Sequence, residues 1–319
     1  MNVMENSKLL NKTFLKNISK KLNSEIVNFK RFSSGRASPT FNIVLKNEDE
    51  YVLKLYMKRG MERYSNTNKI LKLFSANTMI PNFIGGGEWY NGKYLVMKKL
   101  EGEDLENSNL SKWSTKNLDN LFFEIGKLTA ELHSVQNKRF GKIINPRYKS
   151  WRSYLWDKNS KRLNQDVKNS EFSFLYESIK LYLKNNFNLI PEIKKGSFIH
   201  DDIQPQNILA KNRRLTGIID FDLAFWGDPF FELPYCDNIA SYLVSSKYKN
   251  KIEKQFYKGY KKIRKIDKKL YKRTRDYYDM SRYIRYFGGF ASLRTVLPHQ
   301  LCEELKKKFI QDTKILLKK

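Results

Sequence analysis

The stretch FIHDDIQPQNILA, residues 198–210, sets several side chains capable of chemistry among apolar neighbours. It holds His200, the adjacent acids Asp201 and Asp202, and Asn207. A carboxylate can accept the proton of an attacking hydroxyl group, and an amide oxygen can coordinate a hard divalent cation. The stretch therefore contains a candidate general base close to a candidate metal ligand.

Two more acids lie in a second apolar stretch, LTGIIDFDLAF, residues 215–225. The pattern predicts a buried strand that carries Asp220 and Asp222. A buried carboxylate is costly unless it is paired or binds a metal. Each acid has a structural alternative, as a local cap or salt-bridge partner, but its place soon after the first stretch favours a functional site.

The spacing of these residues indicates phosphoryl transfer. His200, Asp202 and Asn207 reproduce the H-x-D-x-x-x-x-N pattern of the protein-kinase catalytic loop, and Asp220 follows where kinases place a metal-binding aspartate. This chemistry needs a carboxylate to orient the attacking hydroxyl and oxygen ligands for Mg²⁺. We expect Asp202 to be the base, Asn207 and Asp220 to be the magnesium ligands, and His200 to support the loop. Asp201 is expected to be exposed and not catalytic.

A kinase also needs a lysine on its third strand to hold the donor phosphates. The stretch YVLKLY places Lys54 at the centre of a predicted strand. The alternative is a solvent-facing lysine. The preceding loop, SSGRASPT, has the single glycine Gly35 and does not match G-x-G-x-x-G. Its small side chains would still let backbone N–H groups approach a phosphate.

The elements that must position these residues fall into two parts. Period-two patterns predict strands at residues 25–32, 41–47 and 51–57, and a hairpin at 82–100 with its turn at Asn91-Gly92. Helical spacing predicts helices at 7–23, 65–77 with Ser65 as N-cap, 118–135 and 170–186. We therefore predict an α+β chain with a small β-rich lobe, residues 1–99, a larger α-rich lobe, residues 100–319, and a hinge near 97–102.

The chain resembles the aminoglycoside phosphotransferase family, small-molecule kinases that share the protein-kinase fold. The resemblance runs from about residue 25 to 305 and rests on motifs in family order, among them YVLKLY, FIHDDIQPQNILA and GIIDFDLAFWGDPFFEL. It implies a bilobal protein-kinase-like fold with a β-rich N-lobe and a helical C-lobe. It further implies Met97 as gatekeeper, adenine contacts from the backbones of Lys98 and Leu100, and bracing of the catalytic loop by Asp228 and Glu232.

Two features depart from the family pattern. The glutamate expected to pair with Lys54 aligns with Asn66, so that Glu62, one turn earlier, is the candidate partner. Kinases of polycationic aminoglycosides gather acids at the acceptor site, whereas the helical half of this chain has far more lysines than acids. The acceptor is left open among aminoglycosides, other hydroxylated antibiotics, choline-like alcohols and sugars, and the donor between ATP and GTP.

Composition bounds the alternatives. The formal net charge of +28 suggests a nucleic-acid binder. However, apolar residues recur at helical spacing within residues 247–275, which indicates an amphipathic helix with a solvated lysine face. We therefore expect no specific nucleic-acid partner. The sequence has only two cysteines, and we identify no apolar run of about 20 residues and no signal peptide. We therefore expect a cytoplasmic protein without membrane contact.

Two further classes compete with a small-molecule kinase. A protein kinase is disfavoured by Gln204 in place of the usual lysine, by Asp-Phe-Asp at residues 220–222 in place of Asp-Phe-Gly, and by the lack of Ala-Pro-Glu. A non-catalytic kinase-fold binding protein has no need for Lys54, Asp202, Asn207 and Asp220 together. The prediction is therefore an enzyme that moves the γ-phosphate of ATP or GTP to a hydroxyl of a small molecule with Mg²⁺.

Overall fold

A computed structural model of the chain describes residues 10–32, 38–90, 92–234, 246–295 and 297–319. Two units emerge from its internal contacts. Unit 1 consists of Met1–Phe122, His200–Ala224 and Ser241–Ile252. Unit 2 consists of Phe123–Ile199, Phe225–Ala240 and Glu253–Lys319. Both units are discontinuous in sequence, and the stretch with Asp202 and Asp220 belongs to the β-rich unit. The predicted domain boundary after residue 99 stays a prediction, and Gly35 lies outside the described residues.

Unit 1 contains an antiparallel sheet of five strands in the order β1-β2-β3-β5-β4. The strands are β1 Ile26–Arg31, β2 Thr40–Leu45, β3 Glu50–Tyr56, β4 Phe83–Trp89 and β5 Gly92–Lys98. Along β2, Phe41, Ile43 and Leu45 are buried and alternate with partly exposed residues. The predicted strands and hairpin are therefore confirmed, although Asn91 of the predicted turn lies outside the described residues.

Two helices accompany this sheet in unit 1. Helix α1, Lys12–Leu22, begins at its N-cap Asn11, whose side chain accepts a hydrogen bond from the Phe14 N–H, and its Ile18 joins the core formed by the sheet. Helix α2, Met61–Leu73, begins four residues before the predicted N-cap Ser65. The prediction of a cap was wrong because the Ser65 hydroxyl donates to the Met61 carbonyl, as serines inside helices commonly do.

The predicted strand at residues 215–225 is interrupted at the acids. Strand β11, Arg214–Ile218, pairs with β10, Ile208–Lys211, which in turn pairs with the short β6, Glu103–Asp104. After β11 the chain turns, and Asp220 has a φ of 67°, in the left-handed region that ends a strand. Asp220 and Asp222 therefore lie in a turn, where their carboxylates can face other groups of unit 1.

The chain after residue 100 is mainly helical, as predicted. The helices are α3 Thr115–Ser134, α4 Trp151–Arg162, α5 Tyr176–Asn185, α6 Ser246–Tyr260, α7 Lys268–Arg294 and α8 His299–Leu317. Short strands in unit 2, β7 Gln136–Asn137, β8 Gly141–Lys142, β9 Gly196–Ile199 and β12 Phe225–Gly227, form a sheet in the order β7-β9-β12-β8. Among the helices that the structure describes, none combines the length and apolar character needed to cross a membrane.

An aromatic cluster forms part of the core of unit 2. Trp151 is fully buried, stacks on Phe225 at 6.1 Å between ring centroids, and donates its indole N–H to the Tyr278 hydroxyl at 3.0 Å. Phe231 meets the Trp151 ring edge-on. Helices α4 and α7 are thereby joined to the segment that follows β12.

Glycines bring α3 and α6 into backbone contact within unit 2. A Cβ at Gly126 would lie 2.0 Å from the Phe256 carbonyl oxygen, and a Cβ at Gly259 would lie 1.9 Å from that of Phe123. Such distances are far below van der Waals contact, and a backbone oxygen cannot swing aside as a side chain can. Each helix therefore needs glycine where it crosses the other.

We expect Gly259→Ala to lower the free energy of unfolding by about 3 kcal/mol, at the upper end of the usual cost of overpacking. The matched control is Gly289→Ala in α7, where an added Cβ has nothing within 4 Å. That change should be neutral or stabilise by up to about 1 kcal/mol, because alanine has the higher helix propensity. Urea unfolding of both variants is the measurement, and equal stability of the two would contradict the close approach.

Candidate active site

Asp202 and Asn207 lie in the loop between β9 and β10, and hydrogen bonds within the loop hold them together. The Asn207 side-chain amide donates to the main-chain oxygen of Asp202 at 2.9 Å and to its carboxylate Oδ2 at 2.9 Å. Gln204 also donates to Oδ2, at 3.1 Å. The Asp202 carboxylate therefore has a defined position set by two neutral amides.

Backbone contacts join this loop to the turn that carries Asp220. A ring nitrogen of His200, Nε2, lies 3.1 Å from the Ile219 carbonyl oxygen, and the Ile219 N–H donates to the Asn207 carbonyl at 2.9 Å. The His200 ring also packs against Phe221, with 4.8 Å between centroids. His200 is thus placed where a supporting residue would be, although its role stays a prediction.

Asp201 corrects one expectation from the sequence. It was predicted to be exposed, but only 2% of its surface is accessible. Its φ of 61° lies in the left-handed region, which aspartate tolerates better than most residues. The backbone therefore reverses at this position and carries the Asp201 side chain into the interior, whereas that of Asp202 stays partly accessible.

Lys54 lies between two carboxylates of the turn. Its Nζ is 2.9 Å from Asp220 Oδ1 and 2.9 Å from Asp222 Oδ1. Burial by itself lowers the pKa of Lys54, but Tyr56, Asp220 and Asp222 raise it overall to well above its ordinary value. The predicted alternative, a solvent-facing lysine, is wrong because β3 directs this side chain into unit 1, where it is 8% exposed.

The electrostatics of Asp220 follow from the same ion pair. Burial acts to raise the pKa of its carboxyl, but the charge and hydrogen bond of Lys54 lower it overall. Asp220 is therefore an anion at neutral pH, as a magnesium ligand or a lysine partner must be. Asp220 follows Ile219, whose N–H donates to the Asn207 carbonyl, so the turn lies next to the loop within unit 1. The sequence motif did not indicate that Lys54 would contact Asp220.

The residues predicted for the adenine side lie at the end of β5. Met97 is buried and stands opposite Val52 of β3 and Phe83 of β4. The Lys98 N–H donates to the Asn82 carbonyl, and its side chain forms an ion pair with Asp49 at 2.6 Å. Contacts of Met97, Lys98 and Leu100 with a nucleotide stay predictions.

Glu62 lies in the first turn of α2, and its pairing with Lys54 also stays a prediction. The buried face of the helix includes Asn66, the residue aligned with the family glutamate, and Thr67. The Thr67 hydroxyl donates to Asp222 at 2.8 Å. Sequence reasoning missed this contact, since nothing in the pattern around Thr67 distinguishes it from an ordinary helical threonine.

Asp228 and Glu232 are buried in unit 2, each with partners of its own. Asp228 accepts hydrogen bonds from the Phe230 N–H at 2.9 Å and from the Tyr278 hydroxyl at 2.6 Å. Glu232 Oε2 lies 2.8 Å from His133 Nε2. Tyr278 and His133 lie in α7 and α3. The predicted bracing of the catalytic loop by Asp228 and Glu232 stays a prediction.

His133 completes a buried polar chain that the sequence did not predict. Its Nδ1 lies 2.9 Å from the Tyr260 hydroxyl, and burial lowers the pKa of the imidazole despite the nearby Glu232. A neutral ring that donates from Nε2 to Glu232 and accepts from Tyr260 at Nδ1 satisfies all three groups. The chain thereby connects α3, α6 and the segment after β12.

The burial of Asp228 makes the stability of the protein depend on pH. Burial raises the pKa of its carboxyl from 3.8 to about 6. The folded state therefore binds this proton more tightly than the unfolded state, and the resulting stability is present below pH 4 and lost as the pH rises through 6. We expect the difference in unfolding free energy between wild type and Asp228→Asn to fall by about 2 kcal/mol from pH 4 to pH 7. Denaturant titrations across that range measure it, and a flat or rising difference would contradict the assignment.

The oxygen groups of this loop and turn fit a magnesium ion bound together with phosphates. The Asn207 amide nitrogen is engaged by Asp202, which leaves its Oδ1 as the atom able to act as a ligand, and Asp220 supplies an anionic carboxylate. Within the described ranges, no group of three or more His, Cys, Asp or Glu side chains could hold a metal ion. Two oxygen ligands agree with Mg²⁺, which keeps several waters and takes other ligands from phosphates.

Comparison with solved structures defines the class of the fold. The chain is similar to a thermostable mutant of aminoglycoside phosphotransferase APH(4)-Ia in ternary complex with ADP and hygromycin B. The match covers 96% of both chains, with a TM-score of 0.66 and 16% identity. The gentamicin complex of APH(2'')-IIa matches over 97% of both chains with a TM-score of 0.60 and 18% identity. The macrolide 2'-phosphotransferase MphH from Brachybacterium faecium covers 88% of this chain and 93% of its own, with a TM-score of 0.58 and 13% identity. The predicted protein-kinase-like fold is confirmed.

The sequence itself defines the family. The model of the phosphotransferase enzyme family matches residues 28–262, well over half of the chain. A homoserine kinase of Neisseria meningitidis serogroup B (strain ATCC BAA-335 / MC58) is 25% identical over 144 residues, which span 45% of this chain and 45% of that protein. The chain belongs to the phosphotransferase enzyme family.

Proposed function

We propose that the protein transfers the γ-phosphate of ATP or GTP to a hydroxyl group of a small molecule, with Mg²⁺. The observation that carries the proposal is the arrangement in unit 1, in which Lys54 contacts Asp220 at 2.9 Å and the loop next to Asp220 holds Asp202 and Asn207. A general base, a cation for phosphates and oxygen ligands for a metal are the parts that phosphoryl transfer needs.

Each residue has a separate task in this reaction. Asp202, held by Asn207 and Gln204, orients the acceptor hydroxyl and accepts its proton. Lys54 turns its ammonium from Asp220 to the donor phosphates. Asn207 and Asp220 would hold Mg²⁺, which when bound neutralises charge on the phosphates. The backbones of Lys98 and Leu100 and the side chain of Met97 receive the adenine or guanine ring.

The acceptor is proposed from the relatives. Structural neighbours are described in complex with hygromycin B or gentamicin, one is a macrolide phosphotransferase, and the curated relative is a homoserine kinase. We favour an aminoglycoside or another hydroxylated antibiotic, with an alcohol of the choline, sugar or homoserine type as the alternative. Such a reaction uses intracellular nucleotide, which supports a cytoplasmic location.

A direct assay tests the proposal. Purified protein, MgCl₂ and either ATP or GTP are incubated with hygromycin B, gentamicin, a macrolide, L-homoserine, choline and a sugar panel, and nucleoside diphosphate release is recorded. Mass spectrometry of the acceptor then identifies the phosphorylated product. The Asp202→Asn variant, prepared in parallel, measures the background of contaminating kinases.

We expect at least one acceptor to stimulate diphosphate release far above the Asp202→Asn background, and EDTA to abolish it. No release above that background with any acceptor would contradict small-molecule transfer from ATP or GTP by this site. Stimulation by L-homoserine or choline alone would exclude the antibiotic-type acceptors and retain the reaction class.

A further inference from the structure

Asp222 has no role in the reaction described above, yet several donors converge on one of its oxygens. Oδ1 lies 2.9 Å from Lys54 Nζ, accepts the Thr67 hydroxyl at 2.8 Å, and accepts the Tyr56 hydroxyl at 3.1 Å. The carboxylate is 9% exposed. These donors stabilise the buried Asp222 carboxylate, because without them its burial would carry a large desolvation cost.

The charges explain why two carboxylates face one lysine. Lys54 contributes one positive charge, whereas Asp220 and Asp222 contribute two negative ones. The Asp220 side chain is 40% exposed, but those of Lys54 and Asp222 are 10% and 9% exposed. Asp220, the more exposed of the two carboxylates, is therefore the one that can turn to another cation, whereas the buried Asp222 stays with Lys54. Asp222 is thus suited to hold Lys54 in place when Asp220 is engaged elsewhere.

The second element of the arrangement is helix α2. Thr67 follows Asn66, the position at which the family pattern has a glutamate for the lysine, and both side chains are buried. The Thr67 hydroxyl contacts the same Asp222 oxygen that Lys54 contacts. A helix-to-lysine connection therefore exists here through a shared carboxylate.

We propose that Asp222 and Thr67 are positioning residues that fix Lys54 and α2 for nucleotide binding, through a Thr67–Asp222–Lys54 bridge. The inference rests on the proposed function in one respect, that Lys54 contacts the donor phosphates. Asp222 sets the direction of the ammonium group, and Thr67 ties the helix to that carboxylate. Neither side chain needs to touch the nucleotide.

The test uses Thr67→Val, which keeps the shape of the side chain and removes the hydroxyl. The matched control is Thr313→Val in α8, another buried helical threonine whose hydroxyl donates only to the Phe309 carbonyl one turn back in its own helix. Thr67→Ser restores a hydroxyl and serves as the rescue. Calorimetry with Mg–AMP-PNP measures nucleotide affinity without an acceptor, and steady-state kinetics measure the KM of nucleotide and acceptor separately.

We expect Thr67→Val to weaken nucleotide affinity and to raise the nucleotide KM by about tenfold, because the loss of one hydrogen bond to a charged group changes a binding constant by about that factor. The acceptor KM should stay unchanged. Thr67→Ser should recover most of the loss, Asp222→Asn should lose more than Thr67→Val, and Thr313→Val should bind nucleotide as wild type does. A merely structural role of Thr67 would lower the melting temperature and leave the nucleotide KM unchanged, which would overturn the proposal.

The outcomes separate this inference from the proposed function. If wild type turns over an acceptor but Thr67→Val binds nucleotide normally, the bridge is wrong and the function stands. If no acceptor is turned over but nucleotide binding depends on Thr67 and Asp222, the bridge stands and the proposed reaction fails. If Glu62→Gln weakens nucleotide binding while Thr67→Val does not, the lysine is anchored by Glu62 and the proposal is overturned.

Discussion

Asp202→Asn should lower kcat by roughly 10²–10⁴, the usual contribution of a positioned acid–base group. The Asp202 Oδ2 atom accepts from Asn207 and Gln204. An asparagine can present its oxygen to the same donors, so that the loop keeps its shape while the anionic proton acceptor is lost. Nucleotide affinity should barely change, because in the proposed reaction Asp202 acts on the acceptor and not on the phosphates. Steady-state kinetics with an identified acceptor, together with calorimetry of nucleotide binding, measure both effects.

Two variants control this result. Glu106→Gln makes the same chemical change on an exposed carboxylate that contacts the neighbouring Gln206 side chain, and it should retain kcat. Asp201→Asn tests the adjacent acid, and because Asp201 is buried we expect this change to affect stability and to leave the rate nearly unchanged. If Asp201→Asn is the inactive variant and Asp202→Asn is active, the register of the whole motif is wrong, together with the roles given to Asn207 and Asp220.

Lys54→Met should lower kcat/KM for nucleotide by roughly 10²–10³, comparable to the loss of one preorganised donor at a transition-state charge. It should also destabilise the nucleotide-free protein by about 3 kcal/mol, because the buried Asp222 would lose its cation. The loss of stability is expected because the Lys54 side chain is held between two carboxylates.

A double variant separates these two effects. Adding Asp222→Asn to Lys54→Met removes the unpaired buried charge, so we expect most of the stability to return while activity stays low. Thermal unfolding and nucleotide kinetics of the single and double variants are the measurements. Recovery of activity together with stability would mean that Lys54 only neutralises Asp222 and has no part in phosphate binding.

Local patterns in the sequence determined much of the fold. Alternating apolar residues such as Phe41, Ile43 and Leu45 predict a strand because successive side chains of a strand point to opposite faces. Helical spacing predicted α3 in the same way. The sequence also selected Asp202, Asn207 and Asp220 as candidate site residues, since they lie within one short segment and their relative spacing is set by the chain itself.

Tertiary structure decided which groups meet. Lys54 and Asp220 are separated by 166 residues, and Thr67 and Asp222 by 155, so no local period relates them. The burial of Asp201 and the turn at Asp220 depend on left-handed backbone conformations that aspartate permits but does not require. Residue types and spacing therefore determined the chemistry available to this protein, whereas packing determined the partners of Lys54, because a buried charge can be satisfied by whichever carboxylate the fold brings within reach.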